Sequence, residues 1–171
     1  MIIPKTKKEA EELVFYVFLQ GDTRNFDGYY FNLIADCIIN KAIAIEKEVF
    51  SFKSKPKNPD IPGPQKNEKA NALEILKLKN LEFKGFEMPF LDYKADILAK
   101  KENKTILIEC GPCRLWKAIN YLEENAELWI TRDGKETELF IVSKGDNWDK
   151  KMNELRSNQK EALRKVHPVD I

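Results

Sequence analysis

Apolar residues recur along this chain with two different periods. Over Lys7–Leu19 the residues Leu13, Val14, Val17 and Phe18 share one side of a helix. A turn at Gly21-Asp22 follows, and Tyr29 to about Phe50 reads as helical again. Asn67–Asn80 keeps the helical period, with Ala70, Leu73, Ile75 and Leu76 turned inward. From residue 81 the period falls to two. LEFKGFEMPF (81–90) alternates as a strand does, and DYKADILAKK and KTILIEC are apolar-rich runs joined by Glu102-Asn103, which predicts a hairpin. CRLWKAINYLEE returns to an amphipathic helix. AELWITRD and TELFIVSKG read as strands on either side of Gly134, and NWDKKMNELRSNQKEALRKV closes the chain as a helix.

Between the second and third helices lies SFKSKPKNPDIPGPQ (51–65), with four prolines and one glycine. Such a segment is a loop or arm, long for a compact domain. The predicted organisation is a helical extension over 1–50, a Pro/Lys-rich loop over 51–66 and an α/β core over 67–171, together one compact domain. Alternating helices and strands of this kind make a mixed α/β layer structure around one central sheet.

Composition narrows the chemistry. The chain has 171 residues, a third of them charged and 43% apolar, so it can bury a real core. Its 29 basic and 28 acidic side chains leave a net charge of +1, which argues neither for nor against nucleic acid. Residues 51–84 hold eight lysines against four acids, an excess able to line a polyanion, though a solvated surface in a Lys/Glu-rich chain is the simpler account. Met1–Lys8 has no apolar core of a signal peptide, and no apolar run is long enough to span a bilayer. Three cysteines do not form a secreted disulfide framework. A soluble, intracellular, cytoplasmic protein is expected. With His167 the single histidine, triad and multi-histidine zinc chemistry is poorly supplied, and catalysis would rest on carboxylates, lysines or cysteines.

The hairpin register points to particular carboxylates. A two-residue turn at Glu102-Asn103 sets Lys101 against Lys104, Ala99 against Ile106, Ile97 against Ile108 and Ala95 against Cys110, an apolar face. On the other face Leu98 meets Leu107 and Asp96 meets Glu109. Two acids directly opposed repel unless a cation or a lysine compensates. Mg²⁺ takes such oxygen ligands, whereas Lys94, Lys100 or Lys117 would compensate without a metal.

The stretch YKADILAKKENKTILIECG resembles the core of the PD-(D/E)xK, or restriction-endonuclease-like, nuclease superfamily. The resemblance covers about half the chain, and the order α-β-β-β-α-β over 67–143 agrees with it. It implies a restriction-endonuclease-like α/β fold with a mixed central sheet flanked by helices and extra N-terminal helices. It implies Asp96 and Glu109 as metal ligands for Mg²⁺ or Mn²⁺. Glu68 would be a helper acid on the preceding helix, with Glu74 as its alternative. The lysine expected two residues after Glu109 is replaced by Gly111, and Lys117 on the following helix is the natural substitute. The implied activity is a metal-dependent DNA endonuclease acting on double-stranded or branched DNA. Asp96, Glu109 and Lys117 would be catalytic, and Arg114, Lys94 and Lys69 would lie along the nucleic acid. A homodimer would follow if both strands are cut. If Lys117 does not reach the site, the domain would bind nucleic acid or protein without cutting.

A rival reading occupies the same residues. Cys110-Gly-Pro-Cys113 looks like a thioredoxin-type redox pair opening a helix, where a lowered pKa would make a reactive thiolate. Its context departs from that pattern, since Glu109 stands where thioredoxins carry a tryptophan and no proline occurs between Pro112 and Pro168. Cys110 reads more simply as a core residue, with Gly111-Pro112 as the strand-to-helix turn. Trp129 and Trp148 are candidates for stacking on bases, with packing the simpler role, and Tyr29-Tyr30-Phe31 is an aromatic cluster for burial between helices. No phosphate-cradling P-loop and no dinucleotide-binding glycine pattern is present.

Overall fold

A computed structural model describes residues 6–17, 35–52, 60–111, 113 and 115–166. Its elements are α1 (Lys7–Val17), β1 (Ile43–Phe50), α2 (Lys66–Leu78), β2 (Glu82–Phe90), β3 (Tyr93–Lys101), β4 (Lys104–Cys110), α3 (Leu115–Glu123), β5 (Glu127–Asp133), β6 (Thr137–Lys144) and α4 (Trp148–Val166), with a short helical segment over 35–39. The strands form one six-stranded mixed sheet in the order β1-β6-β5-β4-β3-β2. Only β4 and β5 run parallel, joined through α3; the other neighbours are antiparallel.

Side chains alternate across the sheet and build two cores. One gathers Ile97, Ala99, Ile106, Ile108, Trp129 and Leu139 under Ala72, Ile75 and Leu76 of α2. The other sets Ile43, Ile45, Leu107, Leu128, Ile130, Phe140 and Val142 against α1, the 35–39 segment, α3 and α4. The molecule is thus a mixed α/β structure with helices on both faces of the sheet. Each fully buried Ile or Leu contributes roughly 1.5–3 kcal/mol.

The first helix as far as it is described, the helices over 66–78 and 115–123, the five strands β2–β6 and the closing helix lie where their periods predict. The helix expected over 29–50 does not. Its first part, to residue 34, lies outside the described residues, and its last part is β1, paired along its length with β6. Helix gives way to strand at Lys41, which adopts φ 62. The Lys41 N–H returns to the Ile38 carbonyl and the Ala42 N–H to the Cys37 carbonyl, the bond pattern of a left-handed helix stop. Beyond it, Ile43 and Ile45 alternate inward as strand residues. The region read as an extension therefore supplies a strand of the central sheet. Asn80 (φ 57) and Asn125 (φ 61) end α2 and α3 in the same manner, with Leu81 bonded back to Leu76 and Ala126 to Tyr121.

The β3–β4 hairpin has the expected register, with Lys101 on Lys104, Leu98 on Leu107 and Ile97 on Ile108. The ladder stops there. The predicted rungs Asp96–Glu109 and Ala95–Cys110 do not form, and Ala95 joins the second core while Cys110 joins the first.

Gly145 ties β6 to the chain entering β1. Its N–H donates to the Ala42 carbonyl at 2.8 Å, and a Cβ there would overlap the Lys41 carbonyl oxygen. Replacing Gly145 by Ala forces the β1 entry to shift and should cost roughly 2–4 kcal/mol. Urea unfolding measures this; a loss under about 0.5 kcal/mol would mean that the turn relaxes freely.

Candidate functional site

The site forms where the sheet ladder fails. Asp96, near the start of β3, is missing from both of its ladders: on one side pairing passes from Met88–Ala95 to Phe86–Ile97, and on the other it ends at Ile97–Ile108. Glu87, across from it on β2, adopts φ 51 and leaves the strand conformation. In place of a rung, the half-buried Asp96 takes the Cys110 N–H on Oδ2 at 2.8 Å. That bond holds the carboxylate against the end of β4, beside Glu109.

Glu109 is 6% exposed, yet it carries a carboxyl group. Lys117, on the first turn and a half of α3, forms an ion pair with its Oε1. Apart from that ammonium, Oε1 has no hydrogen-bond partner. Lys117 Nζ also donates to the Lys94 carbonyl at 3.0 Å and lies 5.7 Å from the centre of the Tyr121 ring. Residues 117 and 121 are one helical turn apart, so α3 delivers both to the same place. Edge-on contacts from Phe90 and Tyr93 fix the Tyr121 ring, and its buried hydroxyl is unpartnered.

Burial pushes the Glu109 carboxyl up to about 7; Lys117 opposes the rise, and the Asp96 charge adds to it. Near neutral pH this group exchanges its proton readily while Lys117 stays beside it. Burial, with the Glu109 charge, also raises the Tyr121 phenol above its ordinary range.

The remaining sequence candidates fall in different places. Lys94 is exposed on the same stretch of β3. Arg114, Tyr29, Tyr30, Phe31, His167 and the Trp116 side chain lie outside the described residues. Glu68 is half-buried on α2, and no three acidic, Cys or His side chains gather as a metal cage among the described residues, so Glu68 does not complete a set with Asp96 and Glu109. Lys69 cannot lie along a nucleic acid: it is 0% exposed, donating to Glu87 at 2.6 Å and to the Pro62 carbonyl at 2.9 Å. Three more lysines of the basic stretch are paired as well, Lys77 with Glu74, Lys79 with Glu48 and Lys84 with Glu82. Of these partners Glu74 and Glu82 belong to the stretch itself, so only Glu87 and Glu48 reduce its local positive excess. Trp129 and Trp148 are buried and pack.

The thiol reading is corrected by burial. Cys110 and Cys113 are buried thiols outside any disulfide, and they belong to cores on opposite faces of the sheet. Desolvation raises both thiols far above their ordinary range, with Asp96 adding to the rise at Cys110 and Glu109 at Cys113. A thiolate is therefore disfavoured where thiol exchange would need one. Gly111 does make the strand-to-helix turn: its φ of 115 is open to glycine, and its N–H bonds the Thr131 carbonyl. Sequence reasoning missed Tyr121 as a neighbour of the carboxylates. The one signal was its spacing of four from Lys117, which core packing explains equally well.

No protein-family model, curated protein or solved structure matches this chain. No helix among the described residues is long and apolar enough to cross a membrane.

Two outcomes follow from the burial of these groups. The folded chain keeps the Glu109 proton to about pH 7, whereas the unfolded chain loses it near 4.5. Stability contributed by the neutral carboxyl is therefore present at low pH and is lost as pH rises through that window. With a chelator present, wild type should lose on the order of 3 kcal/mol relative to Glu109→Gln between pH 4.5 and pH 8. Parallel urea-unfolding profiles for the two proteins would contradict this. In the native state Cys37, Cys110 and Cys113 should resist an aromatic disulfide reagent and react on adding denaturant; rapid native labelling of Cys110 or Cys113 would reopen the redox reading.

Proposed function

We propose that this protein is a Mg²⁺- or Mn²⁺-dependent DNA endonuclease of the restriction-endonuclease-like class, with Asp96, Glu109 and Lys117 as its working residues. The observation that carries this reading is the meeting of two carboxylates from neighbouring strands with a lysine from the next helix, at the end of a sheet where pairing has been given up. The succession α2-β2-β3-β4-α3-β5, with β5 parallel to β4, agrees with the arrangement that the resemblance implies.

The donor set fits a hard divalent cation. Asp96 and Glu109 offer carboxylate oxygens only, and Glu109 Oε1 is a buried acceptor paired with the Lys117 ammonium. These two residues would hold the cation. When bound, it supplies Lewis-acid stabilisation of phosphate charge and a more acidic water. The chain's residues do the rest. The Cys110 N–H fixes the orientation of Asp96. As a ligand Glu109 would have to give up a proton held to near neutral pH, so cation binding should tighten as pH rises toward 8. Lys117, seated on the Tyr121 ring and the Lys94 carbonyl, brings positive charge to where a phosphate gathers negative charge. The exposed Lys94 adds to the field that attracts the backbone.

A second reading, a domain that binds nucleic acid or protein without cutting, has two observations in its favour: position 111 lacks a lysine, and the Glu109–Lys117 pair closes the site.

Plasmid and branched DNA incubated with Mg²⁺ or Mn²⁺ under reducing conditions decides between them. Wild type should cut. Asp96→Asn and Glu109→Gln should abolish cutting while remaining folded, and Lys117→Ala should slow it by about 10²-fold or more. Binding without cutting in every metal tested would favour the second reading; neither binding nor cutting would sink both.

A further inference from the structure

Resting on the nuclease reading, we propose that Gln65 is an additional substrate-contacting residue, its side-chain amide donating to an oxygen of the phosphodiester backbone held at Asp96 and Glu109. The proposal starts from Gly111, which stands where the resemblance leads one to expect a lysine. A Cβ at position 111 would lie 3.2 Å from the Gln65 Nε2 atom. The amide thus fills the space into which a side chain at 111 would project, one residue beyond the N–H that Asp96 accepts. With φ at 115, position 111 is also closed to a lysine on backbone grounds. The glycine and the glutamine belong together: the polar donor absent from β4 is supplied by the chain entering α2.

Gln65 is held at this place against its own preference. It adopts φ 60 and ψ 44, a left-handed conformation that a glutamine rarely takes. It stands at the start of α2 and gives that helix no side-chain cap. Its side chain is exposed, open to a ligand. The surrounding structure enforces the geometry. The buried Lys69 ammonium grips the Pro62 carbonyl and Glu87, and the Lys69 N–H bonds the Gln65 carbonyl at 3.0 Å. Glu87 reaches Lys69 from the strand position across from Asp96, where it has left the ladder. The break that frees Asp96 and the clamp that sets Gln65 therefore share one residue. A neutral amide does not replace the charge of a lysine; Lys117 brings the charge, and Gln65 a directed donor beside Gly111.

The test is DNA binding by the full chain, read by fluorescence anisotropy of a labelled duplex with Ca²⁺ in place of Mg²⁺ across a salt series, with cutting assayed in parallel in Mg²⁺ or Mn²⁺. Gln65→Gly relieves the left-handed strain, so its Tm should hold or rise. It should nevertheless bind about threefold more weakly, with the same salt dependence, because a neutral donor releases no counterion. Gln65→Glu keeps the shape and places a negative charge against the phosphate; it should bind about tenfold more weakly. If both variants bind and cut as wild type while Asp96→Asn abolishes cutting, the nuclease reading stands and Gln65 is only a loop residue. If wild type binds but does not cut in any metal tested, and Gln65→Glu still weakens binding, the contact survives and catalysis does not. Failure of wild type to bind DNA overturns both.

Discussion

A single hydrogen bond, from the Cys110 N–H to Asp96 Oδ2, stands where the β3–β4 hairpin should have had another rung. A regular ladder would have kept Asp96 and Glu109 in a sheet register with their backbones paired, and two opposed carboxylates would have had only solvent to separate them. Ending the ladder at Ile97–Ile108 converts a backbone donor into a support for a side chain. One carboxylate is then oriented by the strand that carries the other. The irregular conformation of Glu87 across β2 belongs to the same break, since Asp96 is paired in neither of its ladders.

The energetic tension at this point is concentrated in Glu109. A carboxyl that is almost wholly buried resists ionisation, and Lys117 only partly offsets that resistance. The pair is poised: a charge gained or lost beside it alters the charge state of a group already balanced near neutrality. Tyr121 contributes by shape as much as by polarity, because its ring is fixed edge-on by Phe90 and Tyr93 and offers the ammonium a face. The apolar cores on the two faces of the sheet supply the rigidity against which this small polar cluster is held. The thiols lie in those cores for the same reason that Ile and Ala do, as small apolar side chains.

The sequence by itself determined much of the architecture. The hairpin turn at Glu102-Asn103 and its register follow from strict alternation, because a shift of one residue would turn every apolar side chain to the wrong face. Alternation also determined the strands over 81–145, and the 3.6-residue period determined the helices around them. Asp96, Glu109 and Lys117 were legible as a group because register and helical spacing are local properties. The strand β1 was not legible: its preceding helix ends on Lys41 in a left-handed conformation, where no glycine or asparagine marks the stop.

Tertiary structure alone decided the rest. Lys69 carries a surface residue's charge but is buried, because Glu87 and the Pro62 carbonyl, distant in sequence, neutralise it there. Cys110 and Cys113 sit three residues apart in the chain yet on opposite faces of the sheet, a separation that no spacing rule conveys. Spacing and period report which side of an element a residue takes; which groups share a dielectric, and which partners neutralise a buried charge, depends on elements far apart in the chain.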